Sequence, residues 1–181
     1  MLEEKTLSRR TVYRGRILRL RVDEALLPNG RTAEREVVEH PGGVCVCALT
    51  DEGNVLLVDQ FRYPYGEVLT EVPAGKLEPG EDPLVCGRRE LKEETGAVAR
   101  EFTSLGVMYP SPGYMEEVIY LYMATGVTMG EMSPDEDEFL QVRSLPLQEA
   151  VEMVMDGRIK DAKTAVILLK VKLLLESEAL L

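Results

Sequence analysis

Residues 75–97 have the sequence GKLEPGEDPLVCGRRELKEETGA, which places a cluster of carboxylates on a short helix directly after a glycine-marked loop. Asp82 suits the helix N-cap, and Pro83 suits the first helical position, where its missing N–H costs nothing. Gly96 suits the C-terminal stop, because glycine adopts the left-handed conformation without steric cost. The segment therefore predicts a helix that begins at Pro83 and ends before Gly96.

Three carboxylates share one side of this predicted helix. Glu90 and Glu94 are four residues apart and Glu93 is three from Glu90, a spacing that brings side chains together on a helix. Like charges at this spacing destabilise an isolated helix by a few tenths of a kcal/mol per pair. Hard oxygen ligands at this density favour Mg²⁺, with Mn²⁺ as the alternative, over zinc, which prefers histidine and cysteine. The competing interpretation is a solvated acidic face, the usual meaning of a run of charges.

The whole segment resembles the Nudix box, G-x5-E-x7-R-E-U-x-E-E-x-G-U, in which U is an apolar residue. Every fixed position is filled, by Gly75, Glu81, Arg89, Glu90, Leu91, Glu93, Glu94, Gly96 and Ala97. So many constrained positions in one window make a specific signal. The resemblance implies a Mg²⁺-dependent hydrolase of a nucleoside diphosphate linked to another moiety. It also implies the α/β/α Nudix sandwich with a mixed sheet.

The resemblance also implies roles for individual residues. The metal ligands would be the backbone carbonyl of Ala74 and the carboxylates of Glu90, Glu93 and Glu94. Arg89 would act in catalysis by orienting the glutamates through ion pairs, without touching substrate. Glu81 would lie further from the metal, as an outer or water-mediated ligand.

A second segment, Ser111-Pro112-Gly113, follows the box and precedes Glu117. On local chemistry alone it is a connecting turn whose glycine permits close backbone approach. A proline at this distance after the box resembles the ADP-ribose pyrophosphatase subfamily, in which this loop packs near the adenosine and terminal ribose. The resemblance implies that Gly113 and Glu117 contact substrate.

Two more positions resemble the same subfamily. Arg62, in Gln60-Phe61-Arg62, is similar to an arginine that contacts the diphosphate or adenosine part. Glu36 is similar to a glutamate that reaches the adenine from an N-terminal strand. In that family the strand is often supplied by the other subunit of a domain-swapped dimer, so the resemblance implies a homodimer.

Residues 134–139, PDEDEF, carry four consecutive acids. A solvated loop is the usual meaning of such a run. Its place in the chain resembles the mobile acidic loop that supplies the catalytic base in these hydrolases. Glu136 is the first choice for that base and Glu138 the second, because a shift of one residue changes the assignment.

Composition bounds the partners and the compartment. The net charge of −11 argues against nucleic acid, which needs a basic face. The family resemblance implies a small-molecule nucleoside diphosphate sugar as the partner; because that substrate is itself anionic, it must reach the site through metal ions and local arginines rather than through the global field. The three cysteines form no disulfide framework, and small buried hydrophobic side chains are the better interpretation. No signal peptide and no transmembrane helix are expected, so we expect a cytoplasmic protein without a membrane partner.

The order of elements predicts an α+β fold. The sequence Pro41-Gly42-Gly43 divides an N-terminal β element, residues 1–42, from a Nudix domain, residues 43–181, and we expect the first part to take part in dimerisation. In the first part, a strand region beginning at Val12 and a return strand from Thr32 form a hairpin. In the second, the strand from Val44 and the strand from Val55 are expected to pair across a tight turn. Helices are predicted from Leu147 and, capped by Asp161, from Ala162.

The function that the family resemblance implies is the hydrolysis of ADP-ribose to AMP and ribose 5-phosphate. Two alternatives stay open at this point. One is a Nudix hydrolase of another substrate, such as GDP-mannose or a nucleoside triphosphate. The other is a sensor that binds ADP-ribose without hydrolysing it, against which the completely filled box argues.

Overall fold

The computed structural model describes residues 2–134 and 138–178. Residues up to Gly42, together with residues 109–118, form one compact unit, and the remaining residues form a second. No helix among the described residues is long and apolar enough to cross a membrane.

The first unit is an antiparallel sheet of three strands in the order β1-β2-β3: β1 (Lys5–Arg14), β2 (Arg19–Leu26) and β3 (Thr32–Glu39). The predicted hairpin is confirmed, since β2 and β3 pair across a turn in which Gly30 has a φ of 82°. β1 begins at Lys5, well before the predicted Val12. Its residues are exposed throughout, so its sequence carries no apolar alternation that would reveal a strand.

Residues 109–118 join the first unit along the outer edge of β3. The Val38 N–H donates to the Tyr114 carbonyl at 2.7 Å, and the Glu116 N–H donates to the Val38 carbonyl at 3.1 Å. Within this segment the Met115 N–H donates to the Ser111 carbonyl at 3.0 Å, which makes the predicted tight turn around Pro112 and Gly113. The edge of β3 is therefore paired at Val38.

Among its described residues, the second unit contains two sheets and three helices. One sheet is mixed, with strand order β7-β4-β9-β8, and the other has the order β10-β5-β6. The elements are β4 (Gly43–Ala48), β5 (Asn54–Arg62), β6 (Glu67–Glu71), β7 (Ala74–Lys76), α1 (Pro83–Thr95), β8 (Val98–Met108), β9 (Ile119–Thr128), β10 (Leu140–Pro146), α2 (Leu147–Met155) and α3 (Ala162–Glu178).

The predicted pairing of β4 with β5 is wrong. β4 pairs in parallel with β9 and antiparallel with β7, so both of its edges are occupied. β5 pairs instead with β6 and β10, and only an isolated bridge between Leu49 and Val55 remains beside the turn. A short apolar run specifies a strand but not its partner, because every buried strand has a similar sequence.

β4 separates the two halves of the core. Its side chains alternate, as in any strand. Val46 and Ala48 pack with Leu91 of α1, whereas Cys45 and Cys47 pack with the cluster that contains α2 and α3. Helices therefore cover both faces of the sheet, and the predicted α/β/α sandwich is confirmed.

The predicted caps of α1 are also confirmed. The Asp82 carboxylate accepts hydrogen bonds from the Leu84 N–H at 2.9 Å and the Val85 N–H at 3.2 Å, and Pro83 begins the helix. Gly96 ends it in the left-handed conformation, with a φ of 74°. The caps fix where α1 begins and ends, and the packing of α1 against the sheet determines which of its residues are buried.

Candidate active site

Glu90 and Glu94 face the short strand β7 rather than solvent, although both are acidic. They are only 8% and 2% exposed. The Ala74 N–H donates to Glu94 Oε2 at 2.9 Å. A Cβ atom at Gly75 would overlap the Glu90 carboxylate, so the strand approaches the helix this closely only because residue 75 is glycine.

Arg89 donates hydrogen bonds to three acidic side chains of the box. Its Nε and Nη2 donate to the two carboxylate oxygens of Glu81, each at 3.0 Å. Its Nη1 donates to Glu90 at 2.8 Å and to Glu93 at 2.9 Å, and Nη2 also lies 3.3 Å from the Lys76 carbonyl. The hydrogen bonds from Arg89 lower the pKa of Glu81 to about 2. Because these acceptors take every N–H of the guanidinium, this geometry suits orientation of the glutamates better than contact with a substrate.

The two buried carboxylates resist ionisation. Burial raises the pKa of Glu90 to about 6, with the charge of Glu93 adding to it. Burial, followed by the charges of Glu90 and Glu138, raises the pKa of Glu94 to about 8. Low dielectric and neighbouring like charge both favour the neutral acid, and a divalent cation between the carboxylates would remove both penalties.

The donor set fits a hard divalent cation. Buried carboxylates, the half-exposed carboxylate of Glu93 and the backbone of Ala74 supply oxygen ligands alone, the preference of Mg²⁺ and Mn²⁺. Across residues 2–134 and 138–178, no group of three or more His, Cys, Asp or Glu side chains is already arranged around a common metal position. The Glu90 and Glu93 oxygens that bind Arg89, and the Glu94 oxygen that binds the Ala74 N–H, belong to the same carboxylates that a cation would share.

A cavity of about 240 Å³ opens beside this cluster. Its lining residues are Gly75, Lys76, Leu77, Glu78, Pro79, Arg89, Glu90, Glu93 and Glu138. Glu138, the second choice for the base, therefore lies at the cavity, and its charge acts on both Glu90 and Glu94. Glu136, the first choice, lies outside the described residues.

Arg62 has a partner that sequence reasoning missed. Its Nε donates to Glu71 Oε1 at 2.6 Å and its Nη2 to Glu71 Oε2 at 2.7 Å. Glu71 is 1% exposed, and its carboxylate also accepts from Lys163. The charge of Arg62 opposes, without overcoming, the burial that raises the pKa of Glu94, so the guanidinium lies within electrostatic reach of that carboxyl. An acid at the end of β6, directly before the buried Val72, was the signal in the sequence.

The other sequence-predicted substrate contacts belong to the first unit. Glu36 is exposed on β3, and Gly113 is exposed in its turn. Glu117 Oε1 lies 3.2 Å from Nδ1 of His40, just beyond the end of β3. The fold therefore joins the SPG turn to the N-terminal sheet, a pairing that sequence spacing did not indicate.

Comparison with known proteins gives two family matches. The model of the NUDIX domain matches residues 22–165. A model described as the nucleoside diphosphate sugar hydrolase N-terminal domain matches residues 4–38. Together they span both units.

Individual proteins are similar over nearly the whole chain. The ADP-ribose pyrophosphatase of Bacillus subtilis (strain 168) is 42% identical over 166 residues, which is 91% of this chain and 90% of that protein. The methanol dehydrogenase activator of Bacillus methanolicus is 44% identical over 168 residues, 92% of this chain and 91% of that protein. The crystal structure of an ADP compounds hydrolase has a TM-score of 0.86 at 22% identity, covers 98% of this chain and 97% of that chain, and shows the same fold.

Proposed function

Because this chain belongs to the Nudix hydrolase family, we propose that it is a pyrophosphatase that hydrolyses ADP-ribose to AMP and ribose 5-phosphate with Mg²⁺. The observation that carries this proposal is the buried carboxylate pair, Glu90 and Glu94, held against β7. The Bacillus subtilis relative, an ADP-ribose pyrophosphatase by name, supports the choice of substrate.

Glu90, Glu93, Glu94 and the carbonyl of Ala74 would hold the cation. When bound, Mg²⁺ would neutralise the phosphate oxygens and lower the pKa of a bound water. Arg89 keeps the glutamates in register through the ion pairs described above, as a partner in catalysis that does not touch substrate. Arg62 binds the diphosphate part of the substrate.

The reaction consumes one water molecule. Glu138, at the rim of the cavity, accepts a proton from the attacking water, or Glu136 does so in its place. The water oxygen bonds to one phosphorus, and the bond from that phosphorus to the bridging oxygen breaks. The bridging oxygen leaves with the other phosphate, so no covalent bond to the enzyme forms. Glu36, Gly113 and Glu117 are the proposed contacts to the adenosine and ribose parts.

The direct test is incubation of the purified protein with ADP-ribose and Mg²⁺, scored by AMP formation. GDP-mannose and dGTP in parallel assays separate this activity from the other Nudix chemistries. Tight binding of ADP-ribose without AMP formation would indicate a sensor instead. The Bacillus methanolicus relative is named as an activator of a dehydrogenase. If this protein stimulated a dehydrogenase but formed no AMP, that result would also contradict the proposal.

Glu94→Gln tests the assignment of the site. The change keeps the shape of the side chain but removes a buried charge, so we expect turnover to fall by roughly two orders of magnitude or more while the fold is retained. Glu101→Gln, on the exposed part of β8, is the matched control and should leave turnover unchanged. Near-normal turnover in a folded Glu94→Gln protein would refute the metal assignment.

The first unit supports a homodimer. All ten residues of β1 are exposed, including the apolar side chains of Leu7, Val12 and Tyr13. A strand exposed on both faces, at the edge of a sheet, is an unusual surface for a protein that works alone. A second copy is the partner that we propose. The buried, unbridged cysteines fit the reducing environment of the cytoplasm, the location that we propose.

A further inference from the structure

The second unit contains a network of charges behind Arg62, whose other members the proposed chemistry does not use directly. We call it the Glu71 network, and it consists of Arg62, Glu71, Asp161 and Lys163. Glu71 is the last residue of β6 and is 1% exposed. One of its oxygens accepts from Arg62 alone, and the other accepts from both Arg62 and Lys163. A carboxylate this deeply buried is tolerated only because both oxygens are paired.

The first turn of α3 fixes the position of Lys163. Asp161 caps this helix, accepting from the Thr164 N–H at 2.9 Å and from the Thr164 hydroxyl at 2.6 Å. Its other oxygen lies 3.0 Å from the Lys163 ammonium. The Thr164 hydroxyl oxygen accepts from the Val72 N–H at 3.0 Å. The N-terminal end of α3 therefore binds the Glu71 carboxylate through Lys163, and the backbone N–H of Val72 through Thr164.

The contact between α3 and Val72 lies close along the chain to a residue that binds one of the two buried carboxylates. Val72 is two residues before Ala74, whose N–H binds Glu94. Burial alone would raise the pKa of Glu71, but hydrogen bonds from Arg62 and the charge of Lys163 hold the pKa below its usual value. Glu71 therefore stays ionised, and its carboxylate continues to accept both hydrogen bonds from the Arg62 guanidinium.

The geometry at Arg62 is directional. Glu71 takes the Nε–H and one Nη2 hydrogen, which fixes the plane of the guanidinium. The opposite edge, formed by Nη1 and the second Nη2 hydrogen, points away from Glu71, and the side chain as a whole is 37% exposed. An arginine held by a carboxylate on one edge presents the other edge to an anion in a two-bond arrangement.

We propose that Glu71 and Lys163 are positioning residues for Arg62, holding its guanidinium in the plane in which it binds the diphosphate of the substrate. This inference rests on the proposed function, because it gives Arg62 a diphosphate to bind. Neither Glu71 nor Lys163 touches substrate. Lys163 acts by fixing the Glu71 carboxylate, and Glu71 acts by fixing Arg62.

A double-mutant cycle in kcat/KM for ADP-ribose separates positioning from general stabilisation. Lys163→Met removes the ammonium, and we expect it to lower kcat/KM on the order of tenfold, the scale of one charge-assisted hydrogen bond, mainly through a higher KM. In an Arg62→Ala background the same change should have an effect below about twofold, because the group that it positions is gone. Lys163→Arg restores a donor and should recover most of the loss.

Lys160→Met is the matched control. Lys160 lies three residues earlier and pairs at 2.8 Å with Glu67, the first residue of β6, but this pair is exposed. Its removal should leave kcat/KM unchanged. If Lys163→Met lowers kcat/KM by the same factor with and without Arg62, its role is structural and the inference is overturned. Where Lys163→Met fails to fold, Glu71→Asp, which keeps the charge but shortens its reach, takes its place in the cycle.

Failure of this positioning inference can be distinguished from failure of the proposed function. If the unaltered protein forms no AMP from ADP-ribose, the proposed function fails, and the cycle is then measured on ADP-ribose affinity by calorimetry in EDTA. Coupling between Lys163 and Arg62 in that affinity supports positioning for binding. Independent effects, or no binding of ADP-ribose to the unaltered protein, overturn the inference.

Discussion

Gly75 is the residue at which the backbone of β7 comes into contact with the Glu90 carboxylate. Any side chain there would occupy the space of that carboxylate. The backbone of Gly75 does not require a positive φ, so alanine is sterically acceptable to the strand itself. The conflict is therefore local, between a methyl group and the end of a flexible acidic side chain.

Gly75→Ala should for this reason damage the site and spare the fold. We expect turnover of ADP-ribose to fall roughly ten- to hundredfold, the usual cost of disturbing the support of a metal ligand, with little change in Tm. Steady-state kinetics and thermal unfolding measure the two effects. Gly87→Ala in α1, where the new Cβ would lie an ordinary 3.4 Å from Val46, is the control. A Gly75→Ala enzyme with normal activity would show that Glu90 need not lie there.

If Glu94 holds the cation as proposed, it would connect cation binding to stability. Because burial raises the pKa of this carboxyl from 4.5 to about 8, folding at neutral pH without a cation requires the carboxyl to take up a proton, and stability falls as pH rises between these two values. Mg²⁺ at about 100 times its Kd should stabilise the protein by about 2.7 kcal/mol, which raises Tm by several degrees, and EDTA should reverse this. In Glu94→Gln the Mg²⁺ response should be lost while Tm in EDTA is unchanged or higher. A full Mg²⁺ response in this variant would place the cation elsewhere.

At the scale of the element, α1 begins and ends where its caps place it. Asp82 satisfies two N–H groups of the first turn that would otherwise have no partner within the helix. Glu90 and Glu94 lie beyond the first turn of α1. We therefore expect the loss of a cap to lower the free energy of unfolding more than it lowers turnover.

Asp82→Ala should cost about 1 kcal/mol of unfolding free energy, which lowers Tm by about 2–4 °C. Thermal unfolding followed by circular dichroism in EDTA isolates this effect from metal binding. Asp82→Asn keeps the acceptor oxygen and should behave like the unaltered protein. Equal losses of Tm in the alanine and asparagine variants would show that charge, rather than the cap, is what matters.

At the scale of the whole molecule, the exposed strand β1 is the surface that requires explanation. If a second copy covers it, the protein in solution should have twice the chain mass of 20.2 kDa. Light scattering after size-exclusion chromatography measures this directly. Val12→Asp together with Tyr13→Asp places charges on the strand and should shift the population to monomer. As the control, Met155→Glu places a charge on another exposed apolar side chain, at the end of α2, and should leave the mass unchanged.

The α1 helix and the family could be predicted from the sequence alone. Asp82, Pro83 and Gly96 mark its two ends, and the spacing of Glu90 and Glu94 sets their common side. These features depend on residues a few positions apart, whose geometry the helix itself dictates. Predictions of this kind were confirmed to the residue.

Only the tertiary structure decided which distant residues meet. The partner of Glu71 lies 92 residues away at Lys163, and the partner of β4 is β9, in parallel, rather than the neighbouring β5. Likewise, the closeness of Gly75 to Glu90 arises where a strand packs against a helix. The physical reason is that spacing along the chain determines which side chains share a face, whereas strand register and the packing of helices on sheets determine which faces come together.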